Sequence, residues 1–313
     1  MSDVADQEKL ALQAIRAFLA TKTCYDVLPV SFKLVMLDST LSLKGALLTL
    51  LQNGVVSAPI WDSVQCQFTG LLTANDFVNA LRFYENQPKL LDELNTLKLE
   101  DLSRVEEEIG ATKIENYNVS PHLSLNEAYK YLIKARTHRV ALVDEDPTSK
   151  RKIVVSVLTQ YRLLRFVALN CKETQMMKTA IGDLGLGTYS NIVTTTMDTS
   201  LTEVVRQLSN IGVSALPVVD DQYRLLNMYE QFDVLGLVKA NGHGDLRMTV
   251  GEALMRRPED FPGVHTCRLT DTLSDIMEIV RRTRLLRLFV VDEEGKLKGI
   301  ITLSDILRYI CTV

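Results

Sequence analysis

In Arg287-Leu-Phe-Val-Val-Asp292 and in Lys298-Gly-Ile-Ile-Thr302-Leu-Ser-Asp305, the sequence places two short apolar runs one after the other. Runs of this length that are rich in Val and Ile predict buried strands. The Thr-x-x-Asp ending of the second run is typical of a helix start. A further helix is predicted ahead of the strands, because apolar residues recur there at helical spacing: Leu273, Ile276, Met277 and Val280. The predicted unit is therefore helix, strand, strand and helix.

The same unit occurs four times in the chain. Its first strand ends at an aspartate in each copy, and these aspartates are 82, 76 and 72 residues apart: Asp62, Asp144, Asp220 and Asp292. The leading helices are expected to start at Ser39-Thr-Leu41, Leu123-Ser-Leu125, Thr199-Ser-Leu201 and Asp271-Thr-Leu273. Four such coincidences indicate internal repetition.

Composition excludes several classes of protein. The 313 residues are 46% hydrophobic and carry a net charge of −4, so neither nucleic acid nor a membrane is an expected partner. The longest apolar runs are far shorter than the roughly 18 residues that a membrane span needs. Five scattered cysteines fit reduced thiols in the cytoplasm or nucleus. Neither a metal-binding spacing of histidines nor a nucleophile with a base is found, so an enzyme is disfavoured.

One unit buries too little apolar surface to be stable alone, so the repeats are expected to pair. The predicted division is an N-terminal helical extension at 1–24, repeats one and two at 25–170, and repeats three and four at 171–313. Docking on its own domain is favoured over partner binding for the amphipathic helix at Gln7–Leu19. The charged stretch Arg104-Val-Glu-Glu-Glu108 is interpreted as a solvated helix face.

The Thr-x-x-Asp elements carry the candidate chemistry. Backbone N–H groups at a helix start suit an anion, and the Asp can accept hydrogen bonds from both hydroxyls of a ribose. An ordinary capping box without a ligand is the alternative. Asp76, Asp233 and Asp305 keep this Asp, whereas repeat two has Arg162 in its place.

Basic residues precede two of the strands, and phosphate groups need such cations. His138-Arg139 stands in repeat two and Arg287 in repeat four, whereas Val56 and Gly212 are the expected equivalents in repeats one and three. Interdomain salt bridges of Arg139 and Arg287, and a structural role for His138, remain as alternatives. Arg284, in a basic stretch, is expected to face solvent more than phosphate.

The strand–Asp–strand–Gly-hydrophobic-Thr-x-x-Asp pattern resembles the cystathionine-β-synthase (CBS) motif. Four tandem copies resemble the γ subunits of the AMP-activated protein kinase family in its fungal sucrose-non-fermenting branch. Strings such as Tyr25-Asp-Val-Leu-Pro29, Val56-Ser-Ala-Pro-Ile-Trp-Asp62 and Val250-Gly-Glu-Ala-Leu-Met255 support the resemblance, which covers about residues 10 to 312. It implies an α/β (α+β) fold in which four CBS motifs pair into two Bateman domains and form a flat disc.

The resemblance also implies a function. A chain of this kind is a non-catalytic regulatory subunit that senses adenine nucleotides in a heterotrimeric serine/threonine kinase, with a catalytic α subunit and a scaffold β subunit as partners. AMP, ADP and competing ATP are the expected regulatory ligands, no cofactor is expected, and cytoplasm and nucleus are the expected locations. The alternative is a CBS-pair protein that binds another adenosyl ligand, such as S-adenosylmethionine, and regulates a different enzyme or transporter.

The family pattern places the principal nucleotide site between repeats three and four, with the phosphate tail directed toward repeat two. The residues that it implies are Val35, His138, Arg139, Thr159, Gln160, Tyr161, Arg162, Thr188, Val193, Ser214, Ala215, Arg287, Thr302, Leu303, Ser304 and Asp305. Weaker secondary sites are expected at Asp76 and Asp233.

Overall fold

A computed structural model describes residues 2–84, 95–111, 114–239, 246–257, 261 and 263–312. The chain forms two compact units, each with its own apolar core. Unit one consists of Met1–Phe32, Tyr117–Ile192 and Val264–Val313, and unit two of Lys33–Asn116 and Val193–Gly263. Repeats two and four thus share unit one, and repeats one and three share unit two. These units differ from the predicted division at 170/171, and the pairing of consecutive repeats into domains stays a prediction.

The described elements alternate between helices and strands, so the fold is mixed α/β. The helices are α1 Ser2–Thr21, α2 Leu43–Gln52, α3 Ala74–Tyr84, α4 Leu102–Glu108, α5 Leu125–Lys134, α6 Gln160–Asn170, α7 Ile181–Leu184, α8 Leu201–Ile211, α9 Gln231–Lys239, α10 Val250–Leu254, α11 Leu273–Arg282 and α12 Leu303–Thr312. The strands are β1 Leu37–Asp38, β2 Ser57–Asp62, β3 Gln67–Thr73, β4 Asn118–Val119, β5 Arg139–Glu145, β6 Lys152–Thr159, β7 Ala215–Val219, β8 Leu225–Glu230, β9 Thr266–Cys267, β10 Arg287–Val291 and β11 Leu297–Thr302.

Each repeat contains the predicted pair of antiparallel strands, β2–β3, β5–β6, β7–β8 and β10–β11. In repeats one, two and four, a two-residue strand is added in parallel to the first strand of the pair. The register shifts at the same place in every pair, just before the repeated aspartate: Ile60/Trp61, Leu142/Val143, Val218/Val219 and Val290/Val291. A bulge that recurs at one position confirms that the four units are structural repeats.

The leading helices begin with the expected capping residues. Ser124, Ser200 and Thr272 each accept a hydrogen bond from a backbone N–H of the first turn. In repeat one the cap is Ser42, so the helix starts two residues later than the predicted Ser39-Thr-Leu41. The prediction was wrong there because the earlier Ser and Thr lie in the turn that follows β1, where Thr40 bonds to the Asp38 carboxylate.

At two glycines, a segment that leads into another repeat packs directly against a strand, because no side chain stands in the way. A Cβ atom at Gly299, in β11, would lie 2.5 Å from the ring of Tyr189, and one at Gly70, in β3, would lie 2.3 Å from the side chain of Ile114. The backbone beside each crossing is hydrogen-bonded to the strand, as where Thr188 N donates to the carbonyl of Ile300 at 2.8 Å. Glycine at these positions therefore fixes where the chain enters repeats two and three.

The first helix docks on unit one. Ala11, Leu12, Ile15 and Leu19 are buried in the core of this unit, which confirms the favoured interpretation of the amphipathic pattern. Glu8, only 3% exposed, accepts a hydrogen bond from the Tyr309 hydroxyl of α12 at 2.7 Å. None of the helices within the described ranges is both long and apolar enough to cross a membrane.

Replacing Tyr309 with phenylalanine should loosen this docking. The change removes one donor from a buried carboxylate, and a hydrogen bond to a charged group contributes about 1.5 kcal/mol or more. We expect the melting temperature to fall by about 4 °C. Tyr131→Phe is the control, because that hydroxyl is on an exposed side chain and has no protein partner in the described part of the chain. Equal melting temperatures of the two variants would contradict the docking role.

Candidate functional site

The first turn of α12 presents the fourth Thr-x-x-Asp element. Thr302 closes β11, and its backbone N–H and hydroxyl donate to Asp305 Oδ2 at 2.8 and 2.6 Å. Both residues are partly exposed. The Oδ1 oxygen of Asp305 accepts no hydrogen bond within the described ranges. One carboxylate oxygen thus caps the helix, while the other is left for an external donor.

Helix α6 starts in the same way in repeat two. Thr159 caps it by accepting a hydrogen bond from Arg162 N at 3.1 Å. The Arg162 side chain folds back along β6, where Nη1 donates to the Ser156 hydroxyl at 3.1 Å and to the Val157 carbonyl at 2.8 Å. Burial, followed by the nearby charge of Arg284, lowers the pKa of Arg162. This arginine is therefore held near the helix start, with its remaining N–H groups available.

Two buried polar side chains join α6 to α12. The Ser304 hydroxyl donates to Gln160 Oε1 at 3.0 Å. The amide of Gln160 donates in turn to the Leu132 carbonyl at 3.2 Å and lies 3.3 Å from His138 Nδ1. Gln160 and Ser304 are 3% and 8% exposed, so their side chains serve this contact. The two helix starts, each with a partial positive charge, consequently lie side by side.

The two strand arginines occupy equivalent positions. Arg139 pairs with Thr159 across β5 and β6, and Arg287 pairs with Thr302 across β10 and β11. The surrounding protein and the charge of Arg284 lower the pKa of Arg139 to about 10. In the described part of the chain, no carboxylate forms an ion pair with Arg139, Arg162 or Arg284. Cations in this position are typical of a site for an anion.

His138 lies close to several of these positively charged arginines. It adopts a left-handed backbone conformation, with φ of 55°. Although the ring reaches solvent, the surrounding protein lowers its pKa, and the charges of Arg139, Arg308 and Arg287 lower it further. The carboxylate of Asp305 raises the pKa and only partly offsets these effects. The imidazole is therefore neutral near pH 7, and a bound anion would favour its protonated form.

The basic cluster consists of Arg139, Arg162, Arg284, Arg287 and Arg308. Sequence reasoning missed Arg308, although it lies one helical turn after Asp305 and so on the same face of α12. Arg284 was expected to face solvent, and it is indeed exposed, but its charge acts on Arg139 and Arg162. Arg308 could have been found from the sequence by looking three residues beyond each motif aspartate, where a side chain lies on the same face of the helix.

Other predicted site residues are divided between the units. Thr188 lies beside Ile300 of β11, and the Tyr161 hydroxyl donates to the Thr283 carbonyl at 3.2 Å, both within unit one. Leu303 is buried in the core of unit one, so only its backbone is available. Four residues belong to unit two, and their place in the nucleotide site stays a prediction: Val35, Val193, Ser214 and Ala215.

The aspartate of repeat one is enclosed. Asp76 is 5% exposed, and its Oδ2 oxygen accepts hydrogen bonds from Thr73 N at 2.6 Å and Thr73 Oγ1 at 3.0 Å. Its carboxyl group also hydrogen-bonds that of Glu106, which is 0% exposed. Burial raises the pKa of Asp76 to about 6, while burial and the Asp76 charge raise that of Glu106 to about 9. The pair therefore shares a proton near pH 7.

This burial corrects the interpretation of the stretch at 104–108 as a solvated helix face. Arg104 and Glu108 are exposed as expected, but Glu106 points into unit two, where its Oε2 accepts a hydrogen bond from Ile114 N at 2.9 Å. A run of charges does not reveal that one member has a buried partner.

The motif aspartate of repeat three, Asp233, also has hydrogen-bond partners within the protein. Asp233 Oδ2 accepts a hydrogen bond from Glu230 N at 2.7 Å, and Arg257 Nε donates to Asp233 Oδ1 at 2.7 Å. A second nitrogen of Arg257 contacts Oδ2.

The strand register also corrects two equivalences. Ser57 and Ala215, not Val56 and Gly212, match Arg139 and Arg287, because they face Thr73 and Glu230 at the corresponding positions. Gly212 ends α8 in a left-handed conformation and so lies before the strand. Repeats one and three still lack the arginine.

Comparison with known proteins places these features in a family. The CBS domain family matches residues 181–240 and 250–312, which are repeats three and four. The 5'-AMP-activated protein kinase subunit gamma of Saccharomyces cerevisiae is 46% identical over 307 residues, covering 98% of this chain and 95% of that protein. The protein of the same name from Kluyveromyces lactis is 47% identical over 305 residues, covering 97% of this chain and 93% of that protein.

A solved structure shows the same fold. It is from Methanocaldococcus jannaschii and is described as a putative archaeal homologue of the γ subunit. The TM-score is 0.73 at 20% identity, and the match covers 92% of this chain and 99% of that one. The arrangement of repeats thus extends to distant sequences.

Proposed function

Because the chain belongs to the γ-subunit family of AMP-activated protein kinase, we propose that it senses adenine nucleotides as the regulatory, non-catalytic subunit of such a kinase. AMP and ADP are the proposed ligands, with ATP as a competitor. The phosphate groups would lie among the arginines of the basic cluster, and the ribose hydroxyls would donate to Asp305.

The basic cluster is the observation that carries the proposal. Arg139, Arg162 and Arg284 have no carboxylate partner within the described residues, and they lie near two adjacent helix starts. Cations held together without a counter-ion destabilise one another, so a phosphate relieves a cost that the empty protein bears. A sulfonium ligand would meet repulsion here, which disfavours S-adenosylmethionine.

Calorimetric titration of the full chain with AMP, ADP, ATP and S-adenosylmethionine tests this function. We expect the three nucleotides to bind and compete with one another, and S-adenosylmethionine not to bind. Absence of nucleotide binding by a folded chain, or preference for S-adenosylmethionine, would contradict the proposal.

We further propose that the chain assembles with a catalytic α subunit and a scaffold β subunit in the cytoplasm and nucleus. The relatives' name as kinase subunits supports this assembly. Purification of the endogenous protein should recover both subunits, and repeated recovery without a kinase would contradict the assembly.

Replacing Arg139 with methionine should separate phosphate recognition from nucleoside recognition. Methionine keeps an unbranched apolar stem but removes the charge, and a lost charge-assisted hydrogen bond costs about tenfold in affinity. We expect the affinity for AMP to fall by about this factor while that for adenosine stays unchanged.

Arg151→Met provides the matched control, because Arg151 is exposed in the same unit and precedes β6. An equal loss of AMP and adenosine binding in the Arg139 variant would instead indicate a structural role for Arg139.

A further inference from the structure

The ion pair between Asp233 and Arg257 is nearly enclosed in unit two. The side chains of Asp233 and Arg257 are 13% and 9% exposed. Arg257 also donates to Asn227 Oδ1 at 2.9 Å and to the Met228 carbonyl at 2.6 Å. Its guanidinium group lies 4.0 Å from the ring centre of Phe261. Arg257 is thus held in place by Asn227, Met228 and Phe261 in addition to Asp233.

The corresponding aspartate of repeat four, Asp305, has no arginine partner among the residues that the structure describes. Asp305 and Asp233 both accept a backbone hydrogen bond from the residue three positions earlier, at 2.8 and 2.7 Å. At Asp305 the second carboxylate oxygen accepts no hydrogen bond within the described ranges, whereas at Asp233 both oxygens contact Arg257. The same motif position therefore occurs in an open and a closed form.

We propose that Arg257 is a built-in occupant of repeat three, which holds Asp233 in place of ribose hydroxyls and keeps this motif from taking up a nucleotide. The inference rests on the proposed function, because it assumes that the motif aspartates bind ribose. Arg257 is then a specificity-determining residue that sets how many motifs bind.

The geometry explains why ribose does not compete. A guanidinium group offers two parallel donors to the two oxygens of a carboxylate, and a ribose diol would use the same edge. The arginine adds charge and is already fixed by Asn227, Met228 and Phe261, so it loses little freedom. A neutral diol from solution has neither advantage.

The test removes the occupant in a chain whose principal site is disabled. Adenosine and AMP are titrated calorimetrically into full-length Asp305→Ala and into the double variant Asp305→Ala/Arg257→Met. We expect the first to bind about 10- to 150-fold more weakly than the unchanged chain, and the second to gain a site for about one equivalent of nucleoside, about tenfold weaker than that of the unchanged chain. Adding Asp233→Ala should abolish the new site.

Arg256→Met is the matched control, because Arg256 is the exposed neighbour of Arg257. It should create no site. A folded Arg257→Met variant without added binding overturns the inference, while failure of the unchanged chain to bind nucleotide would instead refute the proposed function.

Arg257→Met leaves a nearly buried carboxylate without its counter-ion and is expected to lower stability. If the Arg257→Met variant does not fold, Asp233→Asn in the otherwise unchanged chain is titrated with AMP instead. Unaltered affinity and stoichiometry for AMP support a closed motif, and loss of a bound nucleotide overturns it.

Discussion

Replacing Asp305 with alanine is expected to lower the affinity for AMP by about 10- to 150-fold, because a hydrogen bond to a charged group contributes about 1.5–3 kcal/mol. The Oδ1 oxygen, which accepts no hydrogen bond from the described part of the chain, is the acceptor that a ribose hydroxyl would use. The loss should be as large for adenosine as for AMP, since the interaction concerns the ribose alone. Calorimetric titration of the variant with both ligands measures it.

The control is Asp275→Ala. Asp275 occupies the same position in the capping box of α11, where Thr272 N and Oγ1 donate to it at 2.9 and 2.6 Å. Both variants lose a comparable helix cap, so any difference in binding reports the ligand. If the two bind AMP equally well, the capping interpretation of Asp305 is right and the ribose role is wrong. Asp76→Ala and Asp233→Ala should change tight binding little, because those carboxylates are engaged within the protein.

Replacing Glu106 with glutamine is expected to stabilise the protein increasingly as the pH rises. The native chain retains a proton on the buried pair, since the pKa of Glu106 is raised to about 9, whereas the unfolded chain releases it above about pH 4.3. This contribution is fully present below that lower value and is lost as the pH rises toward the folded pKa, by up to about 1.4 kcal/mol per pH unit. Glutamine keeps a donor toward Asp76 without the titration.

Urea unfolding at about pH 6 and about pH 8 should show the free energies of unfolding of variant and wild type diverging by about 2.7 kcal/mol over this range. Glu108→Gln is the control, because Glu108 is exposed on the same helix. A constant difference between Glu106→Gln and wild type would show that Glu106 is ionised in the native protein.

The repeat itself could be predicted from sequence because its signals are local. Each strand ends at an aspartate and each helix starts with Ser or Thr, and such patterns depend on neighbours along the chain. The equivalent positions at the start of each first strand could be found in the same way. Counting back five residues from Asp62, Asp144, Asp220 and Asp292 gives Ser57, Arg139, Ala215 and Arg287.

The state of each motif aspartate could not be predicted, because its partners come from distant segments. Glu106 is 30 residues from Asp76, and Arg257 is 24 residues from Asp233. Nothing in the local patterns distinguishes these charges from exposed neighbours such as Glu107 and Arg256. The number of open motifs is therefore decided by tertiary packing.

The assembly of unit one from three separate segments has a consequence for synthesis on the ribosome. Unit two has all its residues once position 263 has been made, but unit one also needs 264–313. Helix α1 packs on α5 and on the segment Lys172–Met176 as well as on α12, and its contact with α12 forms only after 264–313 has been made. At about 5–20 residues per second, the part of the α1 surface that packs on α12 waits about 15–60 s for this partner. That part of the α1 surface is thus expected to need chaperone protection until α12 has been made.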